Sequence, residues 1–303
     1  MHRLLSFKPY FLIVMTMVCL LTRNLVAESK ETIDSDFNKN IIDISEVGTA
    51  EKITFGMSRK IDPDKVYEIQ KQRGVIQTGL TPRFDKNCNC RPIDSEIWAK
   101  NYTQKRGKPA LHKGIDIPAP RGTPVLAVAD GTIVGKFLNE KNAKGIEIVL
   151  RHEPDDTGLP LWTYSQYTHL LDMPDLLIGT RVKMGNEIGK TSNTGISGKE
   201  AKEKNAGGIS SSSGGKKRRY ALHFAIFYSN FPTYAVSSYS IIPIEGFFMD
   251  PNAFYRKKPP YDSISMENLP EQEKQVSIPY MTEDGQFVPT DTKVIWPYSC
   301  RVR

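Results

Sequence analysis

The sequence predicts a mainly β protein built on antiparallel sheet. From about Leu80 onward, short runs rich in β-branched and aromatic residues follow one another, and Gly, Asp, Asn and Pro punctuate them. The intervals between runs are too short for the helical crossovers that parallel strands need, which argues against a parallel α/β fold.

Taken in order, the 303-residue chain is uneven. Residues 28–56 are polar with little periodicity and read as a flexible leader. Asp62-Pro63 then opens a short helix: Asp62 is a cap, Pro63 fits the first turn, Val66 and Ile69 stand three apart, and Gly74 is the stop. Pro124 to Ala129 and Thr132 to Phe137 are β-rich runs on either side of the turn pair Asp130-Gly131. Ile146 to His152 alternates apolar and polar residues, and a turn at Asp155 to Gly158 precedes Leu161 to Tyr167. Gly185-Asn186 breaks Val182 to Ile188, and Tyr220 to Tyr228 is the clearest strand. Lys257 to Arg303 is polar with paired prolines, and reads as an extension that wraps the domain or as a tail that binds a partner.

The N-terminus points to export. Arg3 and Lys8 precede an apolar run from Tyr10 to Leu21, and Leu25-Val-Ala27 resembles a signal-peptidase site. The run is short for a membrane span, so residues 1–27 read as a signal peptide. Left uncleaved, it would be a membrane anchor. Without the signal's three basic residues the net charge falls from +7 to +4. The basic, Gly/Ser-rich stretch 198–219 accounts for that excess by itself. The chain therefore carries one basic loop rather than a basic surface, and no aromatics interleave with it as in grooves for single-stranded nucleic acid. Nucleic acid is excluded as a partner. An acidic cell-wall polymer, an anionic lipid or an envelope protein suits the loop better.

Three cysteines follow the signal: Cys88, Cys90 and Cys300. In an oxidising compartment, a bridge from Cys88 or Cys90 to Cys300 would leave one thiol over, since residues two apart in extended chain pair poorly. A metal site on Cys88-Asn-Cys90 is the alternative, but no fourth ligand is evident nearby.

Of five histidines, three fall in short patches that also hold other metal or acid-base groups: His112-Lys-Gly-Ile-Asp116, Tyr167-Thr-His169-Leu170 and Ala221-Leu-His223-Phe224. In extended chain His112, Gly114 and Asp116 share one face, with Gly114 leaving room for a metal; Ala221, His223 and Ala225 share a face in the same way. Two imidazoles and one carboxylate make a catalytic zinc set with a position open for water. His152 reads as structural, and Trp162, Tyr164 and Tyr167 as core or groove lining.

Each patch is weak alone, but their order is specific. His112-Lys-Gly-Ile-Asp-Ile-Pro-Ala-Pro-Arg-Gly-Thr-Pro-Val125, with Ala129-Asp-Gly131, Tyr167-Thr-His-Leu170, Val182-Lys-Met-Gly185, Ile188-Gly189 and Leu222-His-Phe224, resembles the M23 peptidase domain, also called the LytM or lysostaphin type. The resemblance covers about Leu80 to Phe254. It implies an antiparallel β sandwich over residues 80–256, with a leader at 28–79 that includes a short helix, the insertion at 198–219, and a C-terminal extension at 257–303. It further implies Zn2+ on His112, Asp116 and His223, His169 as a catalytic histidine, and peptidoglycan as substrate in the periplasm or envelope. The chain departs from the family pattern at Ala221, where the usual His-x-His has its first histidine. An active zinc endopeptidase would then work with His169 alone, or with Tyr220, Tyr164 or Arg219 as the replacement donor. The alternative is a catalytically impaired relative that binds peptidoglycan or activates another cell-wall hydrolase.

Overall fold

The computed structural model describes residues 37–58, 60–93, 98–100, 111–139, 144–195 and 219–303. Two compact units divide the chain at Ile41/Ile42, and the architecture described here is that of the second, Ile42–Arg303. The signal-like residues 1–27 and the basic stretch 198–219, apart from Arg219, lie outside the described residues.

The strands that matter are β1 (Ile115–Pro118), β2 (Pro124–Leu126), β3 (Gly131–Asn139), β4 (Gly145–His152), β5 (Trp162–Leu170), β6 (Arg181–Val182), β7 (Glu187–Lys190), β8 (Ala221–Ser229), β9 (Tyr234–Val236), β10 (Ile241–Pro243) and β11 (Phe247–Met249). A seven-stranded antiparallel sheet runs β11-β8-β5-β4-β3-β6. β1 shares the outer edge of β8 with β11: it pairs with Ala221 to Phe224, and β11 pairs with Ile226 to Tyr228. β2 with β7 and β9 with β10 form separate antiparallel pairs. The mainly β, antiparallel class is the one the sequence predicts. A parallel pairing joins Thr81–Arg83 to Gln275–Ser277.

The two runs flanking Asp130-Gly131 do not pair with each other. β2 pairs with β7, and Asp130 holds that neighbourhood instead, accepting from Met184 N at 2.8 Å and Lys183 Nζ at 2.7 Å.

Cross-strand pairing sorts residues between the faces of the sheet. Phe224 stands opposite Tyr167, and Tyr167 opposite Ile148, on an apolar face where all three are fully buried. The C-terminal tail completes the core on this side. Tyr167 Oη accepts from Val128 N, Ile295 N donates to Val128 O at 2.8 Å, and Leu126 N donates to Pro297 O at 2.9 Å. Ile295 and Trp296 are fully buried. The described tail thus packs against the sheet.

Toward the other face, residues 42–56 of the segment expected to be a flexible leader are ordered. Its residues Thr49–Thr54 form helix α1, and Phe55 just after it packs on Phe227 and Phe248 at 5.2 and 5.0 Å between ring centroids. A six-residue helix is too short to display an apolar period, so burial of Val47, Ile53 and Phe55 was invisible as pattern. Helix α2 (Pro63–Gln72) follows the expectation: Asp62 accepts from Asp64 N and Lys65 N. Gly74 has φ +88°, and a Cβ there would lie 2.3 Å from Phe248 O, so only glycine fits this stop.

Cys90 and Cys300 form the disulfide, and Cys88 is free and buried. This is one of the two bridges expected, and it takes two of the three sulfurs away from any metal site on the Cys-Asn-Cys stretch.

Candidate active site

β8 is the backbone of the site. His223 on it stands opposite Asp116 of β1 on one side and Thr168 of β5 on the other, so these three residues share a face. β1 begins only at Ile115, so His112 precedes the strand, with its N–H donated to Lys100 O at 3.0 Å. From there His112 Nε2 comes within 2.9 Å of His223 Nδ1 and 3.4 Å of Asp116 Oδ1, and His223 Nδ1 lies 3.0 Å from Asp116 Oδ1.

Gly114 works differently from the expectation that it leaves space for a metal. The His223 ring occupies that space: a Cβ on Gly114 would lie 2.5 Å from His223 Cε1, 2.6 Å from Nε2 and 2.7 Å from Phe224 O.

Asp116 is 6% exposed. Burial alone would push its carboxyl up, yet hydrogen bonds to His112 and His223, and their charge, hold it well below the usual carboxylate range. An ionised carboxylate and two imidazole nitrogens thus converge with edges of 2.9, 3.0 and 3.4 Å. A four-coordinate divalent metal with ligands at about 2.0–2.1 Å spaces them by about 3.3 Å, so this donor set fits such an ion with little adjustment.

His169 reaches the site through an irregularity. Thr168 faces with His223, so strict alternation would turn His169 away. Instead Ile146 pairs with Leu170 and Glu147 with Thr168, which leaves His169 as the extra residue of a bulge, with φ +67°. The bulge re-aims the side chain, and the His169 ring centroid lies 5.9 Å from that of His223. His169 Nδ1 is 2.9 Å from both Lys144 O and Thr194 O. Two carbonyls accept only, so Nδ1 carries a proton, and in the neutral ring the lone pair is then on Nε2.

The remaining sequence candidates separate. Ala221 is buried at the start of β8, its N–H donated to Ser192 O at 3.2 Å. Arg219 places a guanidinium nitrogen 3.9 Å from Asp116 Oδ2. Tyr220 is exposed. Tyr164 is not brought to the site: it stands opposite Phe227 and stacks on it at 5.1 Å, four residues or about 13 Å along β8 from His223. Tyr167 is core, and His152 is a buried link between Asp130 O and Ser165 Oγ. Sequence reading missed Lys144 and Thr194, whose carbonyls face His169 Nδ1, and Glu147 and Gln166, which are linked to the Lys144 side chain. A lone Lys, Glu, Gln or Thr carries no spacing signal, and only the pairing register brings them together.

An antiparallel sheet that presents two imidazoles and a buried carboxylate at metal-ligand spacing, with a third imidazole beside them, has the layout of a metallopeptidase. Residues 110–230 match the model of peptidase family M23. An uncharacterized metalloprotease of Buchnera aphidicola subsp. Baizongia pistaciae is 35% identical over 160 residues, covering 52% of this chain and 38% of that protein. The peptidoglycan DD-endopeptidase ShyC of Vibrio cholerae serotype O1 is 32% identical over 110 residues, covering 34% of this chain and 23% of its own. A crystal structure of a zinc containing peptidase from Vibrio cholerae aligns at 23% identity and a TM-score of 0.34, over 50% of this chain and 37% of that one. The chain spans no more than 38% of the length of these two curated relatives. Among the described residues, no helix is long and apolar enough to cross a membrane.

Proposed function

We propose that the protein is a zinc metalloendopeptidase that hydrolyses peptide cross-links of bacterial peptidoglycan during cell-wall remodelling. The observation that carries this reading is the convergence of His112, Asp116 and His223, whose ligand atoms all lie within 4.8 Å of one another, beside an imidazole left over for acid-base work. Zinc held by these three residues would lower the pKa of a bound water to about 7 and polarise a peptide carbonyl.

The chain's own groups do the rest. His169 presents the Nε2 lone pair because two carbonyls hold its Nδ1 proton; Nε2 accepts a proton from the attacking water and, once protonated, donates to the oxyanion or the leaving amine. Asp116, kept ionised by its hydrogen bonds, supplies negative charge to the ligand set. Arg219 beside Asp116 Oδ2 is the replacement donor that the geometry favours over Tyr220 and Tyr164. The DD-endopeptidase named among the relatives supports peptidoglycan as substrate. Export by a signal at residues 1–27, action in the periplasm or envelope, and engagement of an envelope partner by the basic loop or the tail belong to the same proposal.

One observation favours a second reading. Ala221 leaves the site with a single imidazole beyond the three ligands, as expected of a catalytically impaired relative that binds peptidoglycan or activates another hydrolase. Ala221 and His223 share a face of β8, so Ala221→His tests the two readings against each other. In an impaired scaffold it creates or raises hydrolysis of cross-linked muropeptides by about two orders of magnitude, the worth of one oxyanion donor. In a native enzyme that uses another donor it gives little gain or a loss, and His169→Ala in the parent abolishes cleavage. If zinc binds but neither parent nor Ala221→His cuts purified peptidoglycan, the peptidase reading fails.

A further inference from the structure

Behind His169 lies an ion pair between a half-buried lysine and a fully buried carboxylate that the mechanism above does not use. Glu147 on β4 is fully buried. Its Oε1 accepts from Gln166 Nε2 at 2.8 Å, and Lys144 Nζ lies 3.3 Å from Oε1 and 3.2 Å from Oε2. Lys144 Nζ also donates to Tyr239 O at 3.2 Å, so its side chain is tied at two points. The main chain of the same residue meets the active site: Lys144 O accepts from His169 N at 3.2 Å and from His169 Nδ1 at 2.9 Å.

The second acceptor is anchored just as closely. Thr194 Oγ1 donates to Leu170 O at 2.8 Å and accepts from Ile146 N at 3.1 Å, while Thr194 O faces His169 Nδ1. Gly145 lets the two carbonyl-bearing segments touch. Its φ is +69°, and a Cβ there would lie 2.3 Å from Thr194 C and 2.5 Å from Thr194 O. Lys144 immediately precedes β4, and an ion pair on a fully buried carboxylate is seldom kept for stability, because desolvation offsets its attraction. A pair that clamps one strand end while the carbonyl of that end holds a catalytic ring is better explained by orientation, as carboxylates and carbonyls orient imidazoles elsewhere.

We propose that Lys144 and Glu147 are positioning residues: their ion pair fixes the Lys144 carbonyl, and that carbonyl sets the tautomer and ring orientation of His169. The inference builds on the role given to His169 under the proposed function. Its test does not need peptidase activity.

In the full-length protein labelled with 15N-histidine, the His169 signals are assigned by their loss in His169→Ala. The parent should show one sharp pattern with Nδ1 protonated and Nε2 unprotonated. Lys144→Ala should replace it with averaged or broadened shifts from both tautomers, and Lys144→Arg, which keeps the charge, should restore it. Glu147→Gln removes the ion pair at constant volume and should broaden the signals as Lys144→Ala does; it decides the matter if Lys144→Ala fails to fold. In a parent that cleaves muropeptides, Lys144→Ala should lower kcat about tenfold, within the range ascribed to one acid-base group, with KM little changed. A parent that cuts nothing overturns the peptidase reading but leaves the tautomer result standing. An unchanged, sharp Nδ1–H pattern in folded Lys144→Ala or Glu147→Gln would overturn the positioning role.

Discussion

His223 is the residue on which the proposed site turns, because it touches both other proposed ligands and stands within ring contact of His169. Three residues can lie at metal spacing for packing reasons, so the decisive property is what happens when one is removed. His223→Ala should bring bound zinc from about one equivalent, as one closed set of three ligands implies, to a small fraction, read by metal analysis after purification. Near-stoichiometric zinc in that variant would place the metal elsewhere. The donors around the site should separate in the same assay series. Tyr164→Phe should leave cleavage unchanged, since Tyr164 stacks on Phe227 well away from His223. Arg219→Ala should reduce kcat about a hundredfold if the guanidinium stands in for the absent imidazole at Ala221.

At the scale of strands and turns, the site depends on two departures from regular structure. Gly114 lies against the His223 ring and the Phe224 carbonyl, so Gly114→Ala must displace one of them. The change should cost about 1–3 kcal/mol in stability, as overpacking does, and weaken zinc binding about tenfold or more, both measured in the same purified variant. The second departure is the bulge at His169, and it marks the limit of what was legible. Alternation correctly grouped Ala221, His223 and Ala225, and it paired Asp116 with the right face; the strands 145–152, 162–170 and 221–229 were readable because each is long and β-rich. Alternation alone would have turned His169 outward, because an extra residue in a strand leaves no mark in composition. The described end of the leader was misread for a related reason: α1 is a single short helix held by Phe55 against Phe227 and Phe248, and such long-range burial has no local signature.

His152 gives this scale a pH signature. Burial pushes its imidazole down to about 4, while unfolded histidine titrates near 6.5. Folding therefore favours the neutral ring, and the contribution is complete above pH 6.5 and lost as pH falls toward 4. A shift of this size corresponds to about 3 kcal/mol. Thermal unfolding of the metal-free protein followed from pH 7 to pH 4 should be steeper than that of His152→Gln; parallel curves would mean that the ring is solvated in the folded state.

Across the whole molecule, the C-terminal tail closes the fold instead of hanging from it. The Cys90–Cys300 bridge spans 210 residues, and Ile295, Trp296 and Tyr298 are buried beside it. Tyr298 Oη lies 2.6 Å from Thr191 Oγ1, three residues before the Thr194 carbonyl that faces His169. Cys300→Ser should lower stability by about 2–5 kcal/mol, as loss of a native bridge does, whereas Cys88→Ser should leave it within about 1 kcal/mol; equal effects would assign the bridge differently. The same fold serves an enzyme or an impaired relative, so stability cannot decide between them. The most direct test is cleavage of purified cross-linked muropeptides by the parent protein before chelation, after chelation and after zinc is returned, with His169→Ala alongside. The account predicts cleavage that the chelator removes and zinc restores, and none by His169→Ala. Product formation that survives removal of the metal, or equal cleavage by His169→Ala, would contradict it.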